Sequence, residues 1–265
     1  MSLRSTFLKE VARLDLPVAQ APCPAITEGD IASLPDPARR YLRFMGVVGR
    51  PRDWSVRMHF RGRFKMHREA SWRPCEVLQY NSGLVVARVF VMQLAFGNII
   101  PVIACDTYCA GRGRMVGRLL GLFTVIDGSG EEYDIGELVT YLNDLVLLAP
   151  SMLLTPAVVW EPVDTESFDL ILSDHGLTVR ARVFIDSFGA PRDFETRDRF
   201  CEDPGDRKRL MRTRWTTPID ELRCSDGRHL VTRGHAVWHP PEGAFPYVDF
   251  TLDPAEIAYN VAPGE

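Results

Sequence analysis

The hydrophobic period of the chain changes from that of a helix to that of a strand at Asp53, and this change limits the folds open to it. From Trp54 to Met66, apolar side chains occupy most even positions, while arginine, lysine and histidine fill most odd ones. Such alternation is typical of a strand with one buried and one solvated face. It returns between Thr178 and Asp186. The sequence therefore predicts a sheet rather than a helical bundle.

Short runs rich in glycine, asparagine and aspartate separate the apolar segments. These residues accept positive φ, so the runs predict hairpin turns between antiparallel strands. They lie at residues 81–83, 127–130, 174–176, 187–189 and 225–227. Recurrent hairpins imply one large antiparallel sheet. The predicted fold class is mainly β with helices (α+β): a large curved antiparallel sheet or half-open barrel wrapped around apolar helices.

Residues 1–46 differ from the rest and predict a helical segment with a linker. Apolar residues from Leu3 to Leu14 recur at spacings of three and four, which indicates an amphipathic helix. Prolines then interrupt the chain, and a second helix is expected to begin within Leu34–Pro37 and to stop at Gly46. The remaining residues, 47–265, are expected to form the antiparallel β domain.

Two apolar segments within this β domain predict inserted helices, over residues 115–123 and 134–154. In the second, Asp134 and Glu137 have the spacing of an N-terminal capping pair, and Pro150 predicts a kink or a break. Apolar side chains leave little of this helix to face water, so we expect the sheet to wrap around it.

Charge and composition limit the classes of partner. The net charge of −4 gives no reason to expect nucleic acid, which usually binds a basic face. The basic odd-numbered face of residues 54–67 is either a solvated outer face or a surface for a membrane or an anionic partner. No run of about 18 apolar residues is present, so no transmembrane segment is expected. The sequence does not indicate an oligomeric state.

Charged residues and scattered cysteines favour a cytoplasmic location. Residues 1–18 carry charges throughout, whereas a secretory signal needs an uninterrupted apolar stretch. The six cysteines are too dispersed for a disulfide framework. We therefore predict a cytoplasmic protein with reduced thiols.

Sequence signatures for cofactors, metals and nucleophiles are missing. The chain has no G-x-G-x-x-G, no phosphate loop and no G-x-S-x-G. Cys105 and Cys109 would lie about 13 Å apart along a strand, too far to share one zinc ion without a bend. We therefore expect no cofactor and no metal.

Polar groups inside apolar stretches are the remaining candidates for chemistry. Asp106 follows the most hydrophobic part of the chain, and an apolar site raises the pKa of a carboxyl group toward a value useful for acid–base chemistry. We expect Asp106 to be the catalytic acid or base, with Tyr108 and Tyr141 orienting or donating protons. The alternative is that these groups cap turns and satisfy buried helix ends. The candidates for ligand binding are Asn143, Trp160, Asp198, Arg199 and Trp238.

Short motifs from about residue 34 onward carry a resemblance to a known family. They are Leu34–Leu42, Cys105–Tyr108 followed by Gly111, Gly113 and Met115, Glu137–Asp144 with Pro150, Val159–Trp160, Asp198–Arg199, Gly234–Trp238 and Ile257–Asn260. In these motifs the chain resembles a large bacterial family known only as a domain of unknown function. It departs from the family pattern over residues 84–91, where tryptophan and other aromatics are common, and at Asn143–Asp144, where an acidic residue is common. Both departures lie in the expected cavity, which leaves room for a specialised ligand.

The expected architecture also resembles the lipoprotein-carrier fold, which is shared by a small cofactor-free enzyme of indole-pigment biosynthesis. Two functions follow as hypotheses. The first is a cofactor-independent enzyme, of cyclase, isomerase or dehydratase type, that acts on a hydrophobic small-molecule intermediate in an apolar cavity. The second is a non-catalytic carrier or binding protein for a hydrophobic or acyl ligand. A purely structural or interaction role is a third possibility.

Overall fold

Helices occupy the N-terminal part of the chain and one later segment, and strands dominate elsewhere. The structure, a computed structural model, describes residues 2–96, 100–119, 123–203 and 205–264. The helices are α1 (Leu3–Leu14), α2 (Glu28–Ile31), α3 (Asp36–Phe44) and α4 (Glu131–Leu148), and a 3-10 turn over Pro150–Leu153 follows α4. The strands are β1 (Ser55–Phe64), β2 (Arg73–Ser82), β3 (Ala87–Phe96), β4 (Ile100–Cys109), β5 (Arg112–Leu119), β6 (Phe123–Ser129), β7 (Val158–Asp164), β8 (Ser167–Asp174), β9 (Leu177–Ile185), β10 (Pro191–Asp203), β11 (Asp206–Thr216), β12 (Ile219–Ser225), β13 (Arg228–Trp238) and β14 (Phe245–Tyr259).

Within the described residues, the strands form one antiparallel sheet. Its order is β6-β5-β4-β3-β2-β1-β14-β13-β11-β10-β9-β8-β7, with β12 paired to β13. The last strand, β14, returns to pair with β1 in the middle of the sheet. Four of the five predicted turns join neighbouring strands, whereas residues 127–130 lead from β6 into α4. The structure confirms the predicted mainly β fold with a curved antiparallel sheet.

Strands β2–β4 carry apolar side chains on both faces, which explains their nearly continuous apolar sequence. On the convex face, odd-numbered residues such as Val89 and Ile103 pack against α1. On the concave face, even-numbered residues such as Phe90 and Met92 form a separate apolar cluster. Helix α1 therefore covers the outside of the sheet and leaves the concave side to α4.

Helix α4 lies against the concave face and is contacted from both ends of the sheet. Strands β4 and β5 contact it from one end, and β9 and β10 contact it from the other. These strands stand far apart in the sheet order, so the sheet must curve around the helix. The main apolar core lies where α4 and the 3-10 turn pack against α3 and strands β8 and β9.

The two ends of the sheet meet where the β4–β5 turn contacts the β8–β9 turn. The Tyr108 hydroxyl donates a hydrogen bond to Asp174 Oδ2 at 2.7 Å. Gly111 has a φ of +75°, and a Cβ at this position would stand 2.6 Å from the His175 Cβ. A Cβ at Gly113 would overlap the Tyr133 carbonyl oxygen near the start of α4. Close approach therefore explains both glycines of the G-x-G motif.

Two predictions about the inserted helices are wrong. The segment 115–123, predicted as a helix, belongs to strands β5 and β6. Residues 120–122 lie outside the described residues. The second helix begins at Glu131 rather than Asp134. Asp134 and Glu137 do not form a capping pair, because Asp134 accepts from the Gly113 backbone N–H and Glu137 pairs with Arg88. The predicted break at Pro150 is confirmed.

The N-terminal helices match their predicted positions. Helix α1 has the predicted bounds, and α3 ends at Phe44, just before Gly46. The division of the chain at residue 46 stays a prediction. In the part of the chain that the structure describes, every helix is too short or too polar to cross a membrane.

Candidate functional site

A cavity of about 850 Å³ lies between α4 and the part of the concave face that α4 leaves uncovered. Helix α4 is anchored near one end of the strands, since its residues contact Gly113 of β5, Arg88 of β3 and Asn81 of β2. Beyond this level the strands continue without a helix inside them. The cavity is therefore the hollow part of a half barrel whose other part is filled by α4.

Apolar side chains form the walls of the cavity. Alternate residues of β3 and β4 point into it, because side chains on one face of a strand repeat every second residue. Phe250 of β14 also lines the cavity and stacks on Phe60 and Phe90, with ring centroids 5.7 and 6.4 Å apart. The apolar wall consists of Phe60, Phe90, Met92, Val102, Ala104 and Phe250.

A buried cluster of charged and amide side chains forms the end of the cavity next to α4. We name it the polar floor; it consists of Gln79, Arg88, Asp106, Glu137, Asp144 and Arg199.

Arg88 joins β3 to α4 at the centre of the polar floor. Its Nε donates to Asp144 Oδ2 at 2.8 Å, and its Nη1 donates to Glu137 Oε2 at 2.9 Å. Gln79 and Asn81 donate to the same Asp144 oxygen at 2.5 and 3.1 Å. Since the Arg88 side chain is only 4% exposed, the pairing compensates a large desolvation cost.

Arg199 of β10 reaches the polar floor from the opposite side of α4. Its Nη1 donates to the Gly136 carbonyl oxygen at 2.9 Å and to the Thr140 hydroxyl at 2.5 Å. Its guanidinium carbon lies 5.0 Å from the ring centroid of Trp215 and 5.3 Å from that of Trp238. These contacts fix the guanidinium by hydrogen bonds and by two cation–π interactions.

Like Arg199, whose buried Nε has no hydrogen-bond partner among the described residues, Asp106 has an unused hydrogen-bonding atom. Its Oδ1 is buried and has no hydrogen-bond partner among the described residues. Its strand neighbours in register are Phe90 and Met115, which also line the cavity. Desolvation in this apolar setting and the nearby Glu137 charge raise the pKa of Asp106 to about 7, although Arg88 and Arg199 oppose the increase. Asp106 can therefore exchange a proton near neutral pH.

Glu137 shares this electrostatic setting. Desolvation raises the pKa of its carboxyl group, while Arg88 and Arg199 act in the opposite direction. The polar floor thus places two interacting carboxyl groups, Asp106 and Glu137, beside two guanidinium groups.

The end of the cavity away from α4 is open. Its lining there includes Lys65 and Arg68, which follow β1, and the exposed Glu202 and Glu242. Arg68 holds this side together by donating to the carbonyl oxygens of Gly243 and Ala244 at 2.7 and 3.0 Å. A ligand would therefore enter between these charged residues and reach the polar floor along the apolar walls.

Four of the predicted site residues line the cavity: Asp106, Asn143, Arg199 and Trp238. Asn143 also accepts a hydrogen bond at Oδ1 from the Thr217 hydroxyl at 2.7 Å.

The other four predicted site residues lie outside the cavity lining. Tyr108 is in the contact between the sheet ends, and Tyr141 donates to the Ser82 carbonyl oxygen at 2.9 Å in the core. Trp160 stacks on Phe168 with ring centroids 5.5 Å apart. Asp198 accepts from the Arg180 backbone N–H and pairs with Arg212 at 3.0 Å. These contacts give all four residues structural partners.

Two further residues line the cavity that the sequence motifs do not indicate, Arg88 and Tyr247. Arg88 is a single charge within an apolar strand, at an even position like Phe90, and this pattern is a usable signal for a buried ion pair. Tyr247 accepts a hydrogen bond from Trp215 Nε1 at 3.1 Å and stacks on Trp238. Tyr247 lies on a strand rich in aromatics, so nothing in its sequence position distinguishes it.

Metal-ligating side chains are dispersed in the described residues, which hold no group of three or more His, Cys, Asp and Glu placed to bind a metal ion.

The family of the chain follows from comparison with known proteins. The chain belongs to a family of unknown function, DUF6544, which matches it over residues 24–250. This confirms the resemblance based on the motifs. No curated protein matches the chain.

One solved structure shares a similarity with the whole chain. It is the crystal structure of a LolA superfamily protein from Nitrosomonas europaea; the match covers 96% of this chain and 94% of the other, at 11% identity and a TM-score of 0.30. A likeness at this level carries no argument about function.

Arg88→Met should destabilise the fold strongly, because it leaves Glu137 and Asp144 buried without their cation. We expect a loss of about 3–5 kcal/mol in the free energy of unfolding, measured by urea denaturation. The matched control is Arg114→Met on β5, whose ion pair with Asp127 is about half exposed and should contribute about 1 kcal/mol or less. Equal losses in the two variants would contradict the assigned role of Arg88.

Asp106→Asn should stabilise the protein at alkaline pH. The folded state raises the pKa of Asp106 from 3.8 to about 7, so the folded state holds this proton more tightly than the unfolded chain. Protonated Asp106 therefore contributes to the free energy of unfolding at low pH, and this contribution is lost as the pH rises through about 7. Asparagine does not ionise. The variant should therefore match the wild type near pH 4 and exceed it near pH 8 by about 2 kcal/mol or more.

Urea denaturation at several pH values measures this difference. Asp198→Asn on the outer side of β10 is the matched control and should show no gain at alkaline pH. If the free energies of unfolding of the wild type and of Asp106→Asn change with pH in parallel, Asp106 does not titrate as described.

Proposed function

We propose that the protein binds a hydrophobic small molecule in the cavity between α4 and the concave sheet. The observation that carries this proposal is the cavity itself, about 850 Å³ in volume and walled mainly by apolar side chains. Pockets for small molecules commonly measure about 300–1,000 Å³, with apolar walls and a few placed polar groups. Protein interiors otherwise contain few voids larger than a water molecule, so a hollow of this size has a cost that ligand binding would offset.

The position of the polar floor supports the same function. It lies at the closed end, where Asp106 and Arg199 can orient a polar group of the ligand while the walls hold its apolar part. The residues proposed to bind are therefore Asp106, Asn143, Arg199 and Trp238, together with the apolar wall.

Filling part of the cavity should weaken binding. Ala104 of β4 lines the wall, and Ala104→Trp would occupy space that the ligand needs. We expect this variant to bind Nile red, a neutral apolar dye, at least about tenfold more weakly than the wild type in a fluorescence titration. The control is Val125→Trp on β6, where the native side chain is 56% exposed.

The two tryptophan variants separate cavity binding from surface binding. Val125→Trp should retain the wild-type affinity for Nile red. If the wild type binds no dye, or if Ala104→Trp binds it as well as the wild type, the cavity is not the binding site. Thermal unfolding of each variant shows whether it is folded.

A second candidate function is cofactor-independent catalysis on the bound molecule, as a cyclase, isomerase or dehydratase. The observation that favours it is Asp106, whose Oδ1 lacks a partner and whose pKa is raised to about 7, so it can accept and return a proton near neutral pH. Tyr108 and Tyr141, which the sequence suggested as its helpers, have structural partners elsewhere. This candidate therefore rests on Asp106 alone.

Turnover distinguishes the enzyme from the carrier. Material released from the purified protein by organic extraction would be incubated with fresh wild-type protein and with Asp106→Asn. An enzyme converts it, or catalyses exchange of its carbon-bound acidic hydrogens with D₂O, and loses this activity in Asp106→Asn; deuterium on oxygen or nitrogen exchanges without a catalyst and is washed out before the measurement. Unchanged material without deuterium after incubation with the wild type would leave binding as the function.

A further inference from the structure

The guanidinium groups of the polar floor are engaged by the protein itself. Arg88 donates to Glu137 and Asp144. Arg199 donates to the Gly136 carbonyl oxygen and the Thr140 hydroxyl, and it lies over two indole rings. An anionic head group at this floor would therefore have to compete with existing partners at Arg88 and at Arg199 Nη1, although the buried Arg199 Nε has no partner among the described residues.

The floor also carries a net negative charge when all of its carboxyl groups are ionised. Asp106, Glu137 and Asp144 are three carboxyl groups beside two guanidinium groups. A carboxylate or phosphate head would bring a further negative charge into an enclosed site, where like charges repel more strongly than in water. The polar floor thus disfavours anionic amphiphiles.

The floor has two buried atoms without a hydrogen-bond partner among the described residues, the acceptor Asp106 Oδ1 and the donor Arg199 Nε. Asp106 Oδ1 is buried without a donor among the described residues, and a buried acceptor without a partner costs free energy that a ligand donor would recover. Around Asp106, the charged or titratable neighbours are Arg88 from β3, Glu137 and Tyr133 from α4, Arg199 from β10 and Tyr247 from β14. A hydrogen-bond donor without negative charge would therefore satisfy Asp106 and add no negative charge to the floor, and a hydroxyl group could also accept from Arg199 Nε.

We infer that the ligand is an apolar molecule with an amine or hydroxyl head, which donates a hydrogen bond to Asp106. Its tail lies along the wall of β3 and β4 toward the open end of the cavity. Even-numbered residues from Arg88 to Leu94 line this wall, over a length of about 20 Å at the rise of a strand. The inference rests on the proposed binding function and defines the chemistry of the head group.

Competition among dodecyl compounds that differ only in the head group tests this inference. Dodecylamine, 1-dodecanol and dodecanoate would each displace Nile red from the wild type at about pH 8, where Asp106 is mostly ionised. A charge-assisted hydrogen bond should let dodecylamine compete at least about tenfold better than dodecanoate, with the alcohol between them.

Variants assign the preference to Asp106. The ratio of the amine affinity to the acid affinity is the readout, because a general change in the cavity affects both compounds. Asp106→Asn should reduce this ratio about tenfold or more, and Asp106→Ser provides the same test if the first variant is not folded. Asp198→Asn removes a carboxylate from the outer side of the adjacent part of β10 and should keep the wild-type ratio.

The outcomes separate the two proposals. A wild-type protein that does not bind Nile red would overturn the binding function itself. If Nile red binds but dodecanoate competes as well as dodecylamine, or if the ratio is unchanged in the Asp106 variants, the head-group inference is wrong and the cavity remains a binding site.

Discussion

The pairing of Arg88 with Glu137 and Asp144 determines where the interior of this protein is filled and where it is hollow. One guanidinium on β3 holds two carboxylates of α4, about two helical turns apart, at a fixed level along the strands. Helix α4 fills the sheet on one side of this level and leaves it open on the other. Because a buried charge without its partner is very costly, the helix cannot slide along the strands to fill the hollow. The polar floor is thus both the anchor of α4 and the end wall of the cavity.

Most of the fold could be predicted from the sequence because its elements have strong local signals. The even and odd faces of β1, the amphipathic α1 and the proline at the start of α3 each produce a pattern that tertiary contacts do not override. The segment 115–123 was predicted wrongly because a short apolar run fits both a helix and a strand. In the structure, Gly113 lies beside the Tyr133 backbone at the start of α4, where a larger side chain would clash. Such a close approach is visible only after the sheet has curved around α4.

The candidate site could be predicted in part, because sequence shows which face a residue occupies but not its level along the strand. Asp106 and Tyr108 lie on the same face of β4, two residues apart, yet Asp106 lines the cavity and Tyr108 lies in the core next to α4. In β10 the pairing register shifts between Thr196 and Arg199, so the alternation that would separate Asp198 from Arg199 cannot be read from sequence. Arg88 was missed because its partners come from a helix about 50 residues later.

The central claim is that the hollow side of the half barrel holds one apolar molecule, and native mass spectrometry of the purified protein tests it most directly. The protein is expected to carry the added mass of one small molecule per chain, which is lost under denaturing conditions and is absent from Ala104→Trp. Organic extraction would then release a compound for identification. A spectrum of the bare chain, from a protein that also takes up no Nile red, would contradict the account and would favour an interaction role for this fold.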